Sequence, residues 1–360
     1  MPLLTPDLPG TGGALRVTEA DFRVEEVPLY AASGQGDHLY VTVEKTGRTT
    51  NEVSRELAQA LGTQEREVGA AGLKDKRAVT VQRLSVPLPK GTAGTQALDK
   101  DEAFRQLALA ATGQGWRVLE AARHVNKLKP GHLAGNRFVL IVRGVLPHAL
   151  FHAQAVLASL AKTGAANLFG PQRFGMRGDN ASLGALILQR APEASRASRD
   201  KFLRRLALSA LQAELFNRNL AARISAGTLH QALLGDVLKK RASGGLFVCT
   251  DPATDTPRVQ SAELDPAGPL PGHSFTEAQA EVGAQEAAII AEAGLDPASF
   301  KVGGGEMEGT RRPYRVPVQD AAVTALGDED LKLEFTLPPG SFALAVAREV
   351  VKGGQTVVEE

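Results

Sequence analysis

The sequence is poor in the residues that build redox and metal centres. Its 360 residues include one cysteine, Cys249. Neither a disulfide framework nor a cysteine metal site can be built from it, and a reducing, cytoplasmic setting fits. His148 and His152 have the spacing of two ligands on one helix face, but no third ligand stands at a sensible offset and the acid of an HExxH motif is absent. Two surface histidines are therefore expected, with no metal and no cofactor. No apolar run approaches ~18 residues, which argues against a membrane span. The opening MPLLTPDLPGTGG has neither a basic n-region nor an apolar h-region, which argues against a signal peptide. A Walker A loop, a GxSxG elbow and a Rossmann fingerprint are all missing, which speaks against a nucleotide-driven engine or a classical hydrolase. Aromatics make up only 5% of the chain, so any Phe outside an obvious core pattern invites a reason.

What is present is ordinary in amount and uneven in placement. Hydrophobic residues are 43% and charged residues 22%, enough for a sizeable core in two or three domains. The net charge of +1 conceals a segregation along the chain. Residues 116–143 carry Arg117, Arg123, Lys127, Lys129, Arg137 and Arg143 against Glu120 alone, whereas residues 259–308 are acidic apart from Lys301. The expectation is a basic face for a polyanion and an acidic flank that keeps other contacts off.

Periodicity sketches the elements. DHLYVTVEKT (37–46) alternates Leu39, Val41 and Val43 with Tyr40, Thr42 and Glu44, as a half-buried strand does. Thr49 or Thr50 can cap a helix that carries Val53, Leu57 and Leu61 and ends at Gly62. Strands are predicted over 79–86, 116–125, 137–145 and 331–337, and helices from Pro147, over 199–225, from a Thr276–Gln279 capping pair, and after Ser341. Residues 226–275 read as turn-rich, and the triple glycine 303–305 as a hinge. The lone strand at 331–337 needs a sheet to join. That makes the chain an α+β unit with mostly antiparallel strands, interrupted by a helical module of about 150 residues that begins after residue 163.

One stretch concentrates the chemistry. In GLKDKRAVTVQRLSV (72–86), Asp75 sits between Lys74 and Lys76, with Arg77 next, on a loop that leads into a strand. Exposed ion pairs contribute only ~0–1 kcal/mol, so such a grouping is a poor device for stability. GLKDKRAVT (72–80), GNRFVL (135–140), NLFGPQRFG (167–175) and LPPGSFALAVARE (337–349), in that order, closely resemble the tRNA pseudouridine synthase D family over nearly the whole chain.

The resemblance implies a pseudouridine synthase catalytic domain formed by residues 1–163 and 313–360, with a mostly antiparallel mixed sheet and flanking helices. An inserted α/β domain peculiar to the family would span 164–312. The implied activity is isomerisation of uridine to pseudouridine in the D arm of tRNA, at position 13 of a glutamate tRNA, without a cofactor. Asp75 matches the family's catalytic aspartate. Phe22 of EADF, Asn136 and Phe138 of GNRF, and Phe342 of PGSF match its substrate-binding positions. Arg16 stands where the family commonly has lysine. Lys74, Lys76, Arg77, Arg123, Lys127, Lys129 and Arg173 would neutralise RNA phosphates. The chain carries no oligomerisation signature, and a monomer is the default expectation.

The residues agree with that chemistry. Cleaving a glycosidic bond develops positive charge at the anomeric carbon, which a carboxylate can stabilise or attack. A glycosidase usually adds a second carboxylic acid and a water. Here one acid stands among bases, which suits a uracil that leaves as an anion and is neither lost nor replaced. Three roles remain open for Asp75: attack on the sugar, attack on the base, or removal of a proton from C2′. A nearby cation such as Arg16 would keep it ionised and aimed. Phe22 and Phe138 would offer a face to the unstacked base, with core packing as their alternative. Asn136 would read the uracil edge or fix a turn. A tRNA-binding chaperone and a nucleoside hydrolase are the rival readings. The intact GLKDK motif opposes the first, and the missing second acid opposes the other.

Overall fold

The computed structural model describes residues 1–89, 95–302 and 307–353; the triple glycine read as a hinge lies outside the described residues. Its main feature is a large mixed sheet. The strands are β1 (Phe22–Pro28), β2 (His38–Thr46), β3 (Val79–Pro87), β4 (Trp116–His124) and β5 (Leu133–Arg143). A second, four-stranded sheet contains β6 (Val237–Lys240), β7 (Leu246–Val248), β8 (Leu264–Leu270) and β9 (Thr310–Pro313). The chain then returns to the first sheet with β10 (Gln319–Leu326) and β11 (Asp330–Leu337).

The large sheet runs β10-β11-β5-β1-β3-β2-β4. These neighbours pair antiparallel except β1 and β3, which run parallel in the register Arg23↔Val79. The strand at 331–337 thus finds its sheet, as its alternation required. β3 enters between β1 and β2, and this one parallel pair brings the segments that precede both strands to the same edge of the sheet. Arg16 and Asp75 lie on those two segments.

Four helices cover one face. α1 (Thr50–Ala60) and α2 (Thr95–Ala110) pack Val53, Leu57 and Phe104 on Leu39, Val41, Leu84 and Val86. α3 (Ala149–Thr163) and, near the C-terminus, a helix over Leu344–Val351 pack Val156, Leu160, Val346 and Val350 on Phe138, Leu140, Leu333 and Phe335. The middle of the chain has its own cores around α4 (Asn180–Leu188) and α5 (Lys201–Ser225). Asp200 caps α5 by accepting hydrogen bonds from the Phe202 and Leu203 amides. Ala165–Ala166 and Arg315–Val316 pair antiparallel where the chain leaves the first core and where it returns.

Several sequence expectations shift. Thr49 is the cap of α1, in a reciprocal box with Glu52. α3 begins at Ala149, because Leu146–Ala149 forms a turn with Pro147 second and His148 third at φ 64. His148 is therefore outside the helix, and the two histidines do not share a helical face. The helix expected directly after Ser341 begins later, at Leu344, because Pro338–Ser341 is a turn with Gly340 at φ 75. The helix expected from Thr276 begins at Ala280, because Arg311 and Gly235 hold the preceding segment through the Thr276 carbonyl and the Gln279 amide. Residues 226–275 contain most of the second sheet. β8 reads LDPAGPL, and its prolines concealed it; Pro266 lacks an amide, but its carbonyl still accepts from Tyr314.

Candidate active site

The inner face of the large sheet has two apolar clusters, one under each pair of helices, and a polar seam between them. Register defines the seam. Glu26 lies opposite Asn136, on the face that also carries Phe22 and Val24. Thr80 and Gln82 lie beside them on β3, and Lys45 is paired with Thr80. Lys45 follows Leu39, Val41 and Val43 in alternation, so its side chain points inward and the residue is only 1% exposed.

The Asp75 loop lies over this seam and is held at several points. The Thr50 hydroxyl of α1 donates to Gln82 Oε1 at 2.8 Å and accepts from the Lys74 amide at 3.1 Å. Lys74 Nζ meets Glu26 Oε2 at 2.8 Å in a buried ion pair. The Gly131 amide donates to the Ala71 carbonyl. Lys45 Nζ donates to the Asp75 carbonyl at 2.9 Å and to the Arg48 carbonyl at 2.8 Å. The main chain of Asp75 is thereby fixed although it belongs to no helix or strand. Burial pulls the Lys45 amine down to about 8, while the charges of Asp75 and Glu52 act against that and Lys74 adds to it. Asn136 Oδ1, Thr80 Oγ1 and Gln82 Nε2 are buried in the same seam without a protein partner. A buried polar atom left in that state costs ~1–3 kcal/mol, which is a reason to expect a ligand group or solvent there.

Arg16, Thr18 and Glu19 from the segment before β1 line, with Arg77 from the segment before β3, a hollow of about 300 Å3 at the shared edge. Arg16 is in the left-handed region at φ 57, and its guanidinium lies 3.8 Å above the centre of the Phe22 ring. Phe22 stacks on Phe138 at 6.2 Å, and Phe138 packs on Phe335 at 5.6 Å. Phe22 and Phe138 are 2% and 4% exposed. The base-stacking face expected of them is therefore not on the surface. The two rings form a floor, and what lies on Phe22 is Arg16.

Asn136 is a strand residue rather than a turn residue, paired with Glu26 on one side and Leu337 on the other. That pairing places the Pro338 turn at the Asn136 end of the seam. A Cβ on Gly135 would lie 2.5 Å from the Leu337 carbonyl oxygen, so only glycine allows the approach. Beyond the turn, half-buried Phe342 packs on Phe169 at 6.3 Å. Asn217 fixes Phe169 by bonding both its amide and its carbonyl. The motifs at 167–175 and 337–349, distant in sequence, thus meet in one place.

The basic residues do not form the face that their clustering suggested. On the outer face of the sheet, ion pairs run from Arg117 through Glu44, Arg23, Glu25, Arg137 and Glu334 to Lys332. Arg143 is held by Asp21 and Asp330. Lys74, expected to meet RNA, is buried with Glu26. Arg123 is held by Asp101 and the Gly36 carbonyl, and Lys127 donates to the Arg66 carbonyl. Lys76, Arg77, Lys129 and Arg173 are exposed. In the acidic stretch Glu263, Asp265 and Glu286 are paired in the same way, with Arg258, with Arg241 and Arg315, and with Arg311. Sequence reasoning missed Lys45 and Glu26, although each continues the inward parity of its strand.

Comparisons with known proteins place this geometry in a family. The family model described as tRNA pseudouridine synthase D matches residues 1–198 and 193–350. The tRNA pseudouridine synthase D of Anaeromyxobacter dehalogenans strain 2CP-C is 52% identical over 100% of this chain and 99% of its own. One from Thermus thermophilus is 41% identical over 98% of this chain and 92% of its own. A solved Methanosarcina mazei chain assigned to the same family is 22% identical, covers 98% of this chain and 96% of that one, and superposes with a TM-score of 0.75, a likeness of fold. On the matched length and identity, this chain belongs to the tRNA pseudouridine synthase D family.

Proposed function

We propose that the chain is a cofactor-free, cytoplasmic isomerase that converts uridine to pseudouridine in the D arm of tRNA, at position 13 of a glutamate tRNA. Asp75 is its catalytic carboxylate. The observation that carries this reading is the clamp on Asp75: the residue that matches the family's aspartate is the one whose backbone a buried lysine holds over an unsatisfied polar seam. Residues 1–163 and 313–360 form the catalytic domain, residues 164–312 the inserted domain, and the enzyme acts as a monomer.

The reaction breaks N1–C1′ and forms C5–C1′; the C5 hydrogen is lost as a proton and N1 gains one, so the product is an isomer. The uracil has to leave its stack at a cost of a few kcal/mol, turn, and remain in the site. Asp75 acts at the sugar–base junction as nucleophile toward C1′, as nucleophile toward the base, or as the base at C2′. Lys45 keeps a positive charge beside Asp75 and fixes its main chain over the seam. Asn136, with Oδ1 buried and unpartnered, accepts from the uracil edge. Arg16 on the Phe22 floor and Phe342 bound the substrate, and Lys76, Arg77 and Lys129 attract the backbone.

The test is an unmodified glutamate tRNA transcript incubated with the protein and with Asp75→Asn. Nucleoside analysis and carbodiimide-blocked primer extension then report the product. The wild-type protein is expected to give a single stop at position 13. Asp75→Asn is expected to give none while still binding the transcript. Turnover by Asp75→Asn at the wild-type rate would remove Asp75 from the chemistry.

A further inference from the structure

The middle of the chain contains several buried arginines, and most of them have an acid. Arg223 meets Asp236 at 3.0 Å, Arg311 meets Glu286 at 2.9 Å, and Arg315 meets Asp265 at 2.6 Å. Arg312, half-buried beside them, is the exception. It lies on β9, where the chain returns from the second sheet, and its guanidinium covers the Phe169 ring at 4.3 Å and the Phe216 ring at 5.7 Å. Its Nε donates to the Asn167 carbonyl at 3.2 Å, and its Nη2 to Asn167 Oδ1 and to the Gly340 carbonyl at 3.0 Å. All of these acceptors are neutral. Arg173 approaches the same ring, at 5.6 Å, and its side chain is exposed. Among the described residues, neither arginine has a carboxylate within ion-pair distance. Burial, and secondarily the charge of Arg173, pull Arg312 down to about 10. Two like charges are thus held on one aromatic ring without a counter-ion, an arrangement that costs stability unless an anion completes it.

We infer that Arg312 and Arg173 form a phosphate-binding site that holds a backbone phosphodiester of the tRNA beside Phe342. This rests on the RNA-modifying reading given above. Nη1 of Arg312 donates to no protein group among the described residues, so one arm of its fork remains for a phosphate oxygen. The ring and the Asn167 and Gly340 carbonyls hold that fork in place, and such rigidity favours arginine over lysine for a phosphate. Gly340 belongs to the turn that precedes Phe342, and Asn167 opens the NLFGPQRFG motif. A bound phosphate therefore bridges the point where the middle segment joins the large sheet.

The experiment measures affinity for the unmodified glutamate tRNA transcript across a salt series, with Arg173→Gln, Arg312→Gln and Arg312→Lys. Arg173→Gln leaves every hydrogen bond of Arg312 intact. It is expected to weaken binding about 10-fold, on the order of one charge-assisted hydrogen bond. It should also lower the slope of log Kd against log salt by about 1, the signature of one lost phosphate contact. Arg312→Lys keeps the charge and is expected to keep the slope while losing affinity; Arg312→Gln should lose both. An unchanged affinity and slope in Arg173→Gln would overturn the site, whatever Arg312→Gln does to folding. If the wild-type protein binds the transcript but makes no pseudouridine, the functional reading falls and the slope still decides the site.

Discussion

The two faces of the large sheet treat charge in opposite ways. On the outer face ion pairs run across the strands from Arg117 to Lys332, so that most cations there have a carboxylate. On the inner face Lys45 donates to two carbonyls, and the carboxylates whose charges act on it are Asp75 and, more weakly, Glu52. The outer charges are self-sufficient and exposed to solvent, where an ion pair contributes little. The inner charges are buried, Lys74 with its acid Glu26 and, among the described residues, Lys45 without one, where each placement is costly and has to be justified by what it holds. The lesson is that charge in this protein is informative where it lacks a partner. The basic run at 116–143 drew attention in the sequence but is largely neutralised, whereas Lys45 and Arg312 went unnoticed.

The largest effect short of Asp75 itself is expected in the seam. Glu26→Gln leaves the Lys74 ammonium buried without its acid, and breaking a buried pair by removing one partner costs ~3–5 kcal/mol. Chemical denaturation should show a loss of that order, together with lost activity as the Asp75 loop lifts. A loss below ~1 kcal/mol, the range of an exposed pair, with normal turnover would mean that Lys74 does not hold the loop.

Lys45→Met comes next and separates holding from folding. The substitution removes a buried cation and keeps an apolar side chain of similar length. A displacement of about 1 Å at a reacting group can cost ~10²-fold in rate, so single-turnover activity should fall about 10- to 100-fold. Wild-type activity should also fall as pH rises through about 8, where Lys45 loses its proton, and the variant should lack that limb. Stability moves the other way. Below about 8 both folded and unfolded chains hold the proton. Between about 8 and the ordinary lysine value of ~10.4 only the unfolded chain holds it, so stability rises with pH across that window. A wild-type rate profile identical to that of Lys45→Met would remove Lys45 from the site.

Much of this was legible in the sequence, and the misses have physical causes. Alternation located β2, β3 and β11; the charge pattern drew attention to Asp75, and only the family resemblance implied a catalytic role for it. Lys45 was overlooked because a charged residue at the end of an alternating strand reads as the strand's exit to solvent. Its parity with Leu39, Val41 and Val43 was the available signal, and Glu26 after Phe22 and Val24 carried the same one. Phe138 was assigned a face toward a base although it begins an apolar strand; pairing with Val24 and Phe335 places the ring inside. β8 was unreadable because its two prolines imitate a loop. Charge segregation misled because sequence distance says nothing about which strands lie side by side: Arg137 finds Glu25 and Glu334 only once β5 lies between β1 and β11.

The smallest effect tests the other half of the comparison. Arg137 is partly exposed on the outer face and pairs with Glu25 and Glu334. Burial works against the Glu25 carboxyl, yet Arg23 and Arg137 together hold it below its usual range. Arg137→Gln removes one of those two cations and leaves Arg23 at 2.6 Å. The loss should stay within ~1 kcal/mol, as for exposed pairs in general, and ~1 M salt should erase most of it by screening. Affinity for the tRNA transcript and its salt slope should not move, because this guanidinium already has its anions. A slope reduced by about 1 in Arg137→Gln would instead mean that RNA competes with Glu25 and Glu334 for it, and the outer face would join the binding surface. The same salt series applied to Arg173→Gln and Arg137→Gln therefore asks one question of both regions, and only the arginine without a carboxylate is expected to answer it.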